Sequence, residues 1–250
     1  MPMYGTRSLD SLLADSALMP TFASEPQALH GAAILQVMFE IRQTEMLSLI
    51  PESLHPTVPP IAIVAITHCP ESPWGAFTLA EVRIGCRAAA RPRAFLARCF
   101  VDTEAAAKGL REGWGYPAQV AEVRLKRGYD RVRATVTKDG EMILDVALIN
   151  PEPINAGDVQ YLPNVQVART MRDGLEVTRI IQVDSEFEFH KADRGKAQID
   201  AFNADAWSLP RADPWFPISA SSVICDMELP RIRYVFDPSK PAISGVERVG

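Results

Sequence analysis

The chain has 250 residues, of which 47% are hydrophobic, and it carries a formal net charge of −5. That length and apolar content suffice for one domain with a substantial core, so we predict a single domain over 1–250, with 1–28 as an N-terminal helix and lead-in. The negative charge argues against a nucleic-acid partner, whose binding surface is usually basic. The longest apolar runs, such as 61–66, are too short to span a membrane. No charged-then-apolar signal pattern opens the chain, so we expect a cytoplasmic protein.

Few helices are predicted. Arg7 to Ala17 is a short amphipathic segment that we expect to form a helix on the outside of the fold. Thr44 to Leu49 is a second candidate. The third is Asp102 to Glu112, which begins with Asp102 or Thr103 as N-cap and stops at Gly113.

The rest of the chain from residue 30 onward is typical of strands. Asp139-Gly140 is the strongest hairpin signal, and Asp173-Gly174 is a second turn signal. The strand-like runs around and after these turns are 132–137, 142–148, 165–171, 175–183 and 186–190. The last run alternates polar and apolar residues, as a half-buried strand does. The pattern predicts a largely antiparallel β domain that closes into a barrel-like shape.

Cysteine and histidine spacing gives no sign of a metal site. There is no CxxC pair, and the residues are scattered: Cys69, Cys86, Cys99, Cys225, His30, His55, His68 and His190. We expect reduced, mostly buried thiols, and we predict no metal and no other cofactor.

The most informative stretch is 109–119, which reads GLREGWGYPAQ. It resembles the segment that carries the Schiff-base lysine in the acetoacetate decarboxylase family, where the pattern is roughly Gly-Arg-Glu-x-x-x-Tyr/Phe-Pro-Lys-Lys. The chain keeps four residues of that pattern, Arg111, Glu112, Tyr116 and Pro117. Ala118 and Gln119 then stand where the two lysines belong. Neither side chain can form an imine with a ketone, so the resemblance implies the family's fold without its defining reaction.

Three further segments resemble the family in the same order. They are 39–54, which ends in a Pro-Glu-x-Leu turn, 163–192, which begins with Pro163-Asn164, and 219–231, which ends in Leu-Pro-Arg. The resemblance implies a mainly β (α+β) fold, a closed antiparallel β-barrel or cone with a few peripheral helices. It also implies a homo-oligomer.

In the family, the lysine segment lies at the floor of the barrel cavity. A neighbouring charge and apolar walls lower the pKa of the lysine, so that the free amine attacks a ketone. With Ala118 and Gln119 in its place, the resemblance implies a neutral and roomier pocket. Gln119 donates and accepts hydrogen bonds, so it is a candidate for orienting a carbonyl or carboxylate group.

Glu81 is the main candidate for acid–base chemistry. It matches an inward carboxylate that the family places beside the lysine, although the loose alignment leaves Leu79 as an alternative match. An inward Glu81 without lysine neighbours should have a raised pKa and serve as a general acid or base. The alternative is an outward carboxylate paired with Arg83 or Arg98.

Five other residues are candidates for the site. Arg111 and Glu112 either form an ion pair that fixes the loop or contact the substrate. Tyr116 and Trp114 either line the cavity or pack beside the proline turn. His68 is either a proton shuttle at the cavity mouth or an ordinary surface histidine.

We predict a lyase-like enzyme of secondary metabolism, a dehydratase or cyclase rather than a decarboxylase. It would act on a carbonyl-containing small molecule, polyketide-like or an oxo acid, by acid–base chemistry without a Schiff base. Dehydration, cyclisation, isomerisation and hydrolysis all stay open. The alternatives are a small-molecule binding protein without turnover, and a Schiff-base decarboxylase or aldolase that uses a relocated lysine, of which Lys126 is nearest.

Overall fold

The computed structural model describes residues 3–88, 91–240 and 244–249. The helices are α1 (Leu9–Leu13), α2 (Gln43–Leu49) and α3 (Glu104–Trp114), with one 3₁₀ turn at Ala156–Asp158. The strands are β1 (Ala17–Met19), β2 (Gln27–Glu40), β3 (His55–Pro56), β4 (Ile61–Cys69), β5 (Phe77–Ala88), β6 (Arg91–Val101), β7 (Ala118–Val120), β8 (Glu122–Arg127), β9 (Arg131–Lys138), β10 (Glu141–Pro153), β11 (Asn164–Arg172), β12 (Leu175–Val183), β13 (Glu186–Phe202), β14 (Phe216–Leu229), β15 (Tyr234–Phe236) and β16 (Val246–Arg248).

Helix α3 begins and ends at residues suited to those positions. The side chain of Thr103 accepts a hydrogen bond from the Ala106 N–H at its start. At its end, Gly115 has a left-handed backbone with φ of 70°, which glycine adopts without strain. The helix therefore ends at Trp114, two residues later than the predicted end at Glu112.

Both predicted turn signals form two-residue hairpins. Asp139 and Gly140 have φ values of 52° and 83°, and Asp173 and Gly174 have 51° and 77°. Two successive left-handed residues suit the twist of a tight hairpin. The turns join β9 to β10 and β11 to β12, so the local chemistry predicted these connections correctly.

The N-terminal segment is more closely integrated than predicted. Helix α1 is short, with Ser8 as its side-chain N-cap, and Leu12 is buried in the core. The residues that follow form β1, which pairs in parallel with β11. The expected helix over Arg7 to Ala17 is thus split between a helix and a strand of the main sheet.

The strands form one large sheet in the order β16-β15-β12-β11-β6-β5-β4-β2-β14-β13-β10-β9-β8, with β1, β3 and β7 attached to its side. Most neighbours are antiparallel. The predicted mainly β fold with few helices is confirmed, but no hydrogen-bonded ladder joins the two ends of the sheet within the described ranges, so the barrel is not closed by backbone pairing. The sheet nevertheless curls back on itself, since β8 lies close to β4, β5 and β6.

The central strands have two faces with different surroundings. One face packs into a filled core, which we define as the buried cluster that includes Phe39, Val82, Phe100 and Trp207. The opposite face, which we call the cavity face, borders a second cluster that also contains α3. Among the described residues, no helix combines the length and the hydrophobicity needed to cross a bilayer.

Candidate active site

The cavity face of β2, β4 and β5 borders a cavity. The cavity is narrow, and the space that the centre of a water molecule can occupy inside it is about 50 Å³. Its walls are mostly apolar, and its polar and ionisable side chains are Thr67, Cys69, Glu81, Arg83, Tyr116, Tyr161, Asn164 and Ser185. An apolar cavity with a few converging polar groups is typical of a small-molecule site.

Glu81 lies in this cavity and is only 6% exposed. Its Oε1 accepts a hydrogen bond from Asn164 Nδ2 at 2.8 Å. Leu79 and Arg83 line the same cavity, since residues two apart in a strand share a face. Arg98, the other suggested partner of Glu81, instead pairs with Asp15.

Asn164 connects the polar groups of the cavity. Its Nδ2 also donates to Tyr116 Oη at 3.1 Å, while its Oδ1 accepts from Arg83 Nη1 at 2.8 Å. Arg83 Nη1 further donates to the Leu162 carbonyl at 3.3 Å. Neither Asn164 nor Arg83 was predicted as a site residue. Each nevertheless had a signal in the sequence. Asn164 belongs to the Pro-Asn pair that opens one of the segments resembling the family. Arg83 comes two residues after Glu81, so it lies on the same face of a strand.

Tyr116 lies in the cavity wall as a neutral phenol. Burial, reinforced by the negative charge of Glu81, raises the pKa of its hydroxyl well above the ordinary value. The group therefore holds its proton at neutral pH. The predicted position of Tyr116 in the pocket agrees with the structure.

Positions 118 and 119 face opposite ways. Ala118 is buried and pairs with Cys99, which itself pairs with Glu81, so its methyl group is on the cavity face of the sheet. It packs in the second buried cluster and does not itself line the cavity, in contrast to its predicted substrate contact. Gln119 points to the other side, where its Oε1 accepts from Lys138 Nζ at 3.2 Å. The prediction that Gln119 orients a substrate is corrected accordingly.

Three other predicted residues of the motif do not line the cavity, and two of them hold the loop. Arg111 donates to the Ala118 carbonyl at 3.0 Å and pairs with Glu104 at 2.9 Å. Glu112, its predicted partner, is exposed on α3. The Trp114 indole N–H donates to the Pro230 carbonyl at 2.7 Å. The predicted substrate contacts are therefore not supported by these positions: Arg111 and Trp114 fix the turn, and Glu112 points to solvent.

His68 does not reach the cavity. It projects from the face of β4 opposite to Thr67 and Cys69, and its Nδ1 lies 3.1 Å from Thr78 Oγ1. The predicted proton shuttle at the cavity mouth is not supported by this position. Aromatic rings do line the cavity, with Tyr161 stacked on Phe187 at a centroid distance of 4.8 Å.

The acetoacetate decarboxylase (ADC) family model matches residues 16–239. The chain belongs to this family. No curated protein sequence gives a significant match.

Solved structures of family members share the fold at low sequence identity. An acetoacetate decarboxylase from Legionella pneumophila is 17% identical, with a TM-score of 0.74 over 84% of this chain and 86% of that one. An acetoacetate decarboxylase-like enzyme from Sphingomonas wittichii RW1 is 16% identical, with a TM-score of 0.68 over 83% and 91%. The enduracididine biosynthesis enzyme MppR, complexed with the condensation product of pyruvate and imidazole 4-carboxaldehyde, is 14% identical, with a TM-score of 0.67 over 83% and 87%.

For a member of the acetoacetate decarboxylase family, the position of the lysines is informative. All six lie among the described residues, and none lines the cavity: Lys108, Lys126, Lys138, Lys191, Lys196 and Lys240. Lys126, the suggested relocated nucleophile, is exposed on β8. Lys138 approaches Gln119 and the Phe100 ring on the side of the filled core.

The cavity of this family member also contains a thiol that is poorly suited to nucleophilic attack. Burial raises the pKa of Cys69 to about 12, so the thiol stays protonated at neutral pH. All four cysteines are buried and free. Within the described ranges, no three His, Cys, Asp or Glu side chains are grouped closely enough to hold a metal ion.

Proposed function

We propose that the chain is an enzyme that binds a carbonyl-containing small molecule in the cavity and acts on it by acid–base chemistry, without a Schiff base. The observation that carries the proposal is the buried carboxylate of Glu81 beside the neutral phenol of Tyr116, in a cavity whose lining includes no lysine among the described residues. A carboxylate and a phenol are the acceptor and the donor that proton transfer at a carbonyl compound needs.

The simplest step on this arrangement is enolisation. Glu81 takes a proton from the carbon next to the carbonyl group, and the electron pair of that C–H bond moves into the adjoining C–C bond. The carbonyl π electrons move to the oxygen, which accepts a hydrogen bond from the Tyr116 hydroxyl. Dehydration, cyclisation and isomerisation of oxo compounds can all begin in this way, so the step is common to most of the predicted reactions.

Arg83 supports an oxo acid as the substrate. Its guanidinium lines the cavity, is 5% exposed, and has a buried Nε with no hydrogen-bond partner in the described part of the chain. A buried, unpaired N–H is unfavourable unless a ligand accepts its hydrogen bond, and carboxylates suit guanidinium geometry. The pyruvate-containing structures of MppR are consistent with a ligand of this class.

Deuterium exchange tests the proposal without knowledge of the natural substrate. We expect the wild type to accelerate exchange of the methyl protons of pyruvate in D₂O, measured by proton NMR. Glu81→Gln should slow the catalysed exchange by about 10²- to 10⁴-fold. Glu122→Gln, an exposed carboxylate on β8, is the matched control and should match the wild type. Equal rates in wild type and Glu81→Gln would refute the role of Glu81.

Borohydride trapping separates this proposal from the Schiff-base alternative. With pyruvate or acetoacetate, we expect no covalent adduct by intact-protein mass spectrometry. An adduct at Lys126 or another lysine would reverse the conclusion.

One observation favours the binding-protein alternative. Glu81 Oε1 and Tyr116 Oη already have a partner in Asn164, so the network is stable without a substrate. Saturable binding of pyruvate without faster proton exchange would support that alternative. Cytoplasmic location, homo-oligomerisation and a place in secondary metabolism remain predictions.

A further inference from the structure

The amide of Asn164 has two chemically different ends, and the cavity uses both. One end faces the guanidinium of Arg83, and the other faces Glu81 and Tyr116. Which end is oxygen and which is nitrogen decides the direction of every hydrogen bond in the network. It therefore also decides which cavity groups can donate to a ligand.

Arg83 determines this orientation. A guanidinium has only N–H donors, so the Asn164 atom 2.8 Å from Arg83 Nη1 must be the acceptor oxygen. The inverted amide would place two donors against each other inside a buried site, which is strongly unfavourable. The Leu162 carbonyl holds the same Nη1 from the other side, so Arg83 is itself fixed.

The remaining proton positions follow from that orientation. The two hydrogens of Asn164 Nδ2 are directed to Glu81 Oε1 at 2.8 Å and to Tyr116 Oη at 3.1 Å. The phenol oxygen is therefore an acceptor in this contact, and its own hydrogen must point elsewhere. Within the described part of the chain the Tyr116 hydroxyl donates no hydrogen bond to the protein, and Tyr116 lines the cavity.

We propose that Arg83 and Asn164 are positioning residues, an inference that rests on the proposed function. Together they leave Tyr116 as the group that donates a hydrogen bond to a ligand in the cavity and Glu81 as the group that accepts one. A bound carbonyl group would then take one orientation, with its oxygen toward Tyr116 and its acidic C–H bond toward Glu81. The network thereby selects which carbon of an oxo compound loses a proton. Burial of the phenol supports this assignment, because it keeps the hydroxyl protonated.

Neutron diffraction of deuterated crystals tests the proton assignment directly, whether or not the protein turns over a substrate. We expect both Asn164 amide deuterons to point at Glu81 and Tyr116, and the Tyr116 deuteron to point into the cavity. A Tyr116 deuteron directed at Asn164 or at Glu81 would overturn the proposal.

A double-mutant cycle tests the positioning role in the pyruvate exchange assay. Asn164→Asp places an acceptor oxygen beside Tyr116, and Arg83 favours its ionised form, so the phenol should donate to it instead of to the ligand. The same substitution removes the N–H that Glu81 Oε1 accepts, so it also disturbs the base. We expect Tyr116→Phe to slow exchange by about 10²-fold, the usual effect of losing one such donor, and Asn164→Asp to slow it at least as much. The double variant should be little slower than Asn164→Asp alone, because in that variant the phenol has already ceased to donate to the ligand.

A double variant about 10²-fold slower than Asn164→Asp alone would mean that the two residues act independently, and would contradict the proposal. Gln198→Glu makes the same amide-to-acid change at an exposed site and should leave exchange unchanged. Thermal unfolding of each variant identifies any loss of the fold. If wild-type protein produces no exchange at all, the proposed function fails, and the neutron experiment still decides the proton assignment.

Discussion

Strand β5 shows how differently the two sides of the sheet are built. Ala80, Val82 and Ile84 enter the filled core, whereas Glu81 and Arg83, between them in sequence, enter the cavity. Buried ionisable groups oppose folding unless they find partners. The filled core supplies apolar burial, so the cavity face can hold a carboxylate, a guanidinium and an amide network. Residues that stabilise the core and residues proposed to act on a ligand therefore alternate along one strand.

Truncating one side chain on each face of the sheet should give the largest measurable difference between the two faces, a difference in stability. Ile84→Ala leaves a hole in the filled core and should lower the free energy of unfolding by about 2–5 kcal/mol. Leu79→Ala borders space that is already open, so it should fall at the low end of that range. Urea unfolding measures both values. A larger loss for Leu79→Ala would contradict the division into a filled and an open face.

Restoring a lysine tests whether position 118 belongs to the cavity. Ala118→Lys should yield a borohydride-stable adduct with pyruvate, because desolvation lowers the pKa of a buried amine and exposes its lone pair. Overpacking should lower stability by about 1–3 kcal/mol. Val120→Lys, at a 45% exposed position of the same strand, is the control and should yield no adduct. A folded Ala118→Lys variant without an adduct would place residue 118 outside the reach of ligands.

Thiol labelling compares access to the two faces as a function of pH. The pKa of Cys69 is raised to about 12, so its reactive thiolate fraction should grow about tenfold per pH unit from pH 7 to 10. Methyl methanethiosulfonate should label Cys69 through the cavity at a rate that follows this fraction. Cys86 is in the filled core, where burial also raises its pKa, and it should stay unlabelled until the protein unfolds. Peptide mapping distinguishes the two cysteines. Faster labelling of Cys86 than of Cys69 would contradict the prediction that reagents reach the cavity more easily than the filled core.

The smallest effect is expected at Gln119. Its side chain points away from the cavity and binds Lys138 near the surface. Gln119→Ala should therefore leave pyruvate exchange unchanged and lower stability by less than about 1 kcal/mol. A clear loss of exchange would show that Gln119 does reach the ligand.

The features predicted correctly from sequence are local or belong to the family pattern. Asp139-Gly140 predicted its hairpin because the turn chemistry is contained in two residues. The Tyr-Pro-Ala segment predicted the family and showed that an alanine stands where the family has its lysine. Leu79 and Glu81, treated as alternatives, share a face, because the side-chain period of a strand is two. Strand periodicity alone would also have placed Arg83 beside them.

The sequence by itself determined the family, the main hairpins, and the replacement of the lysine by Ala118, because these depend on short patterns of residues. Only the tertiary structure decided that Gln119 and His68 face away from the cavity, since the direction of a side chain depends on strand register. The tertiary structure also brought Arg83 into hydrogen-bond contact with Asn164, which is 81 residues away in the sequence. Such a contact arises from strand pairing and sheet curvature, which no local pattern encodes.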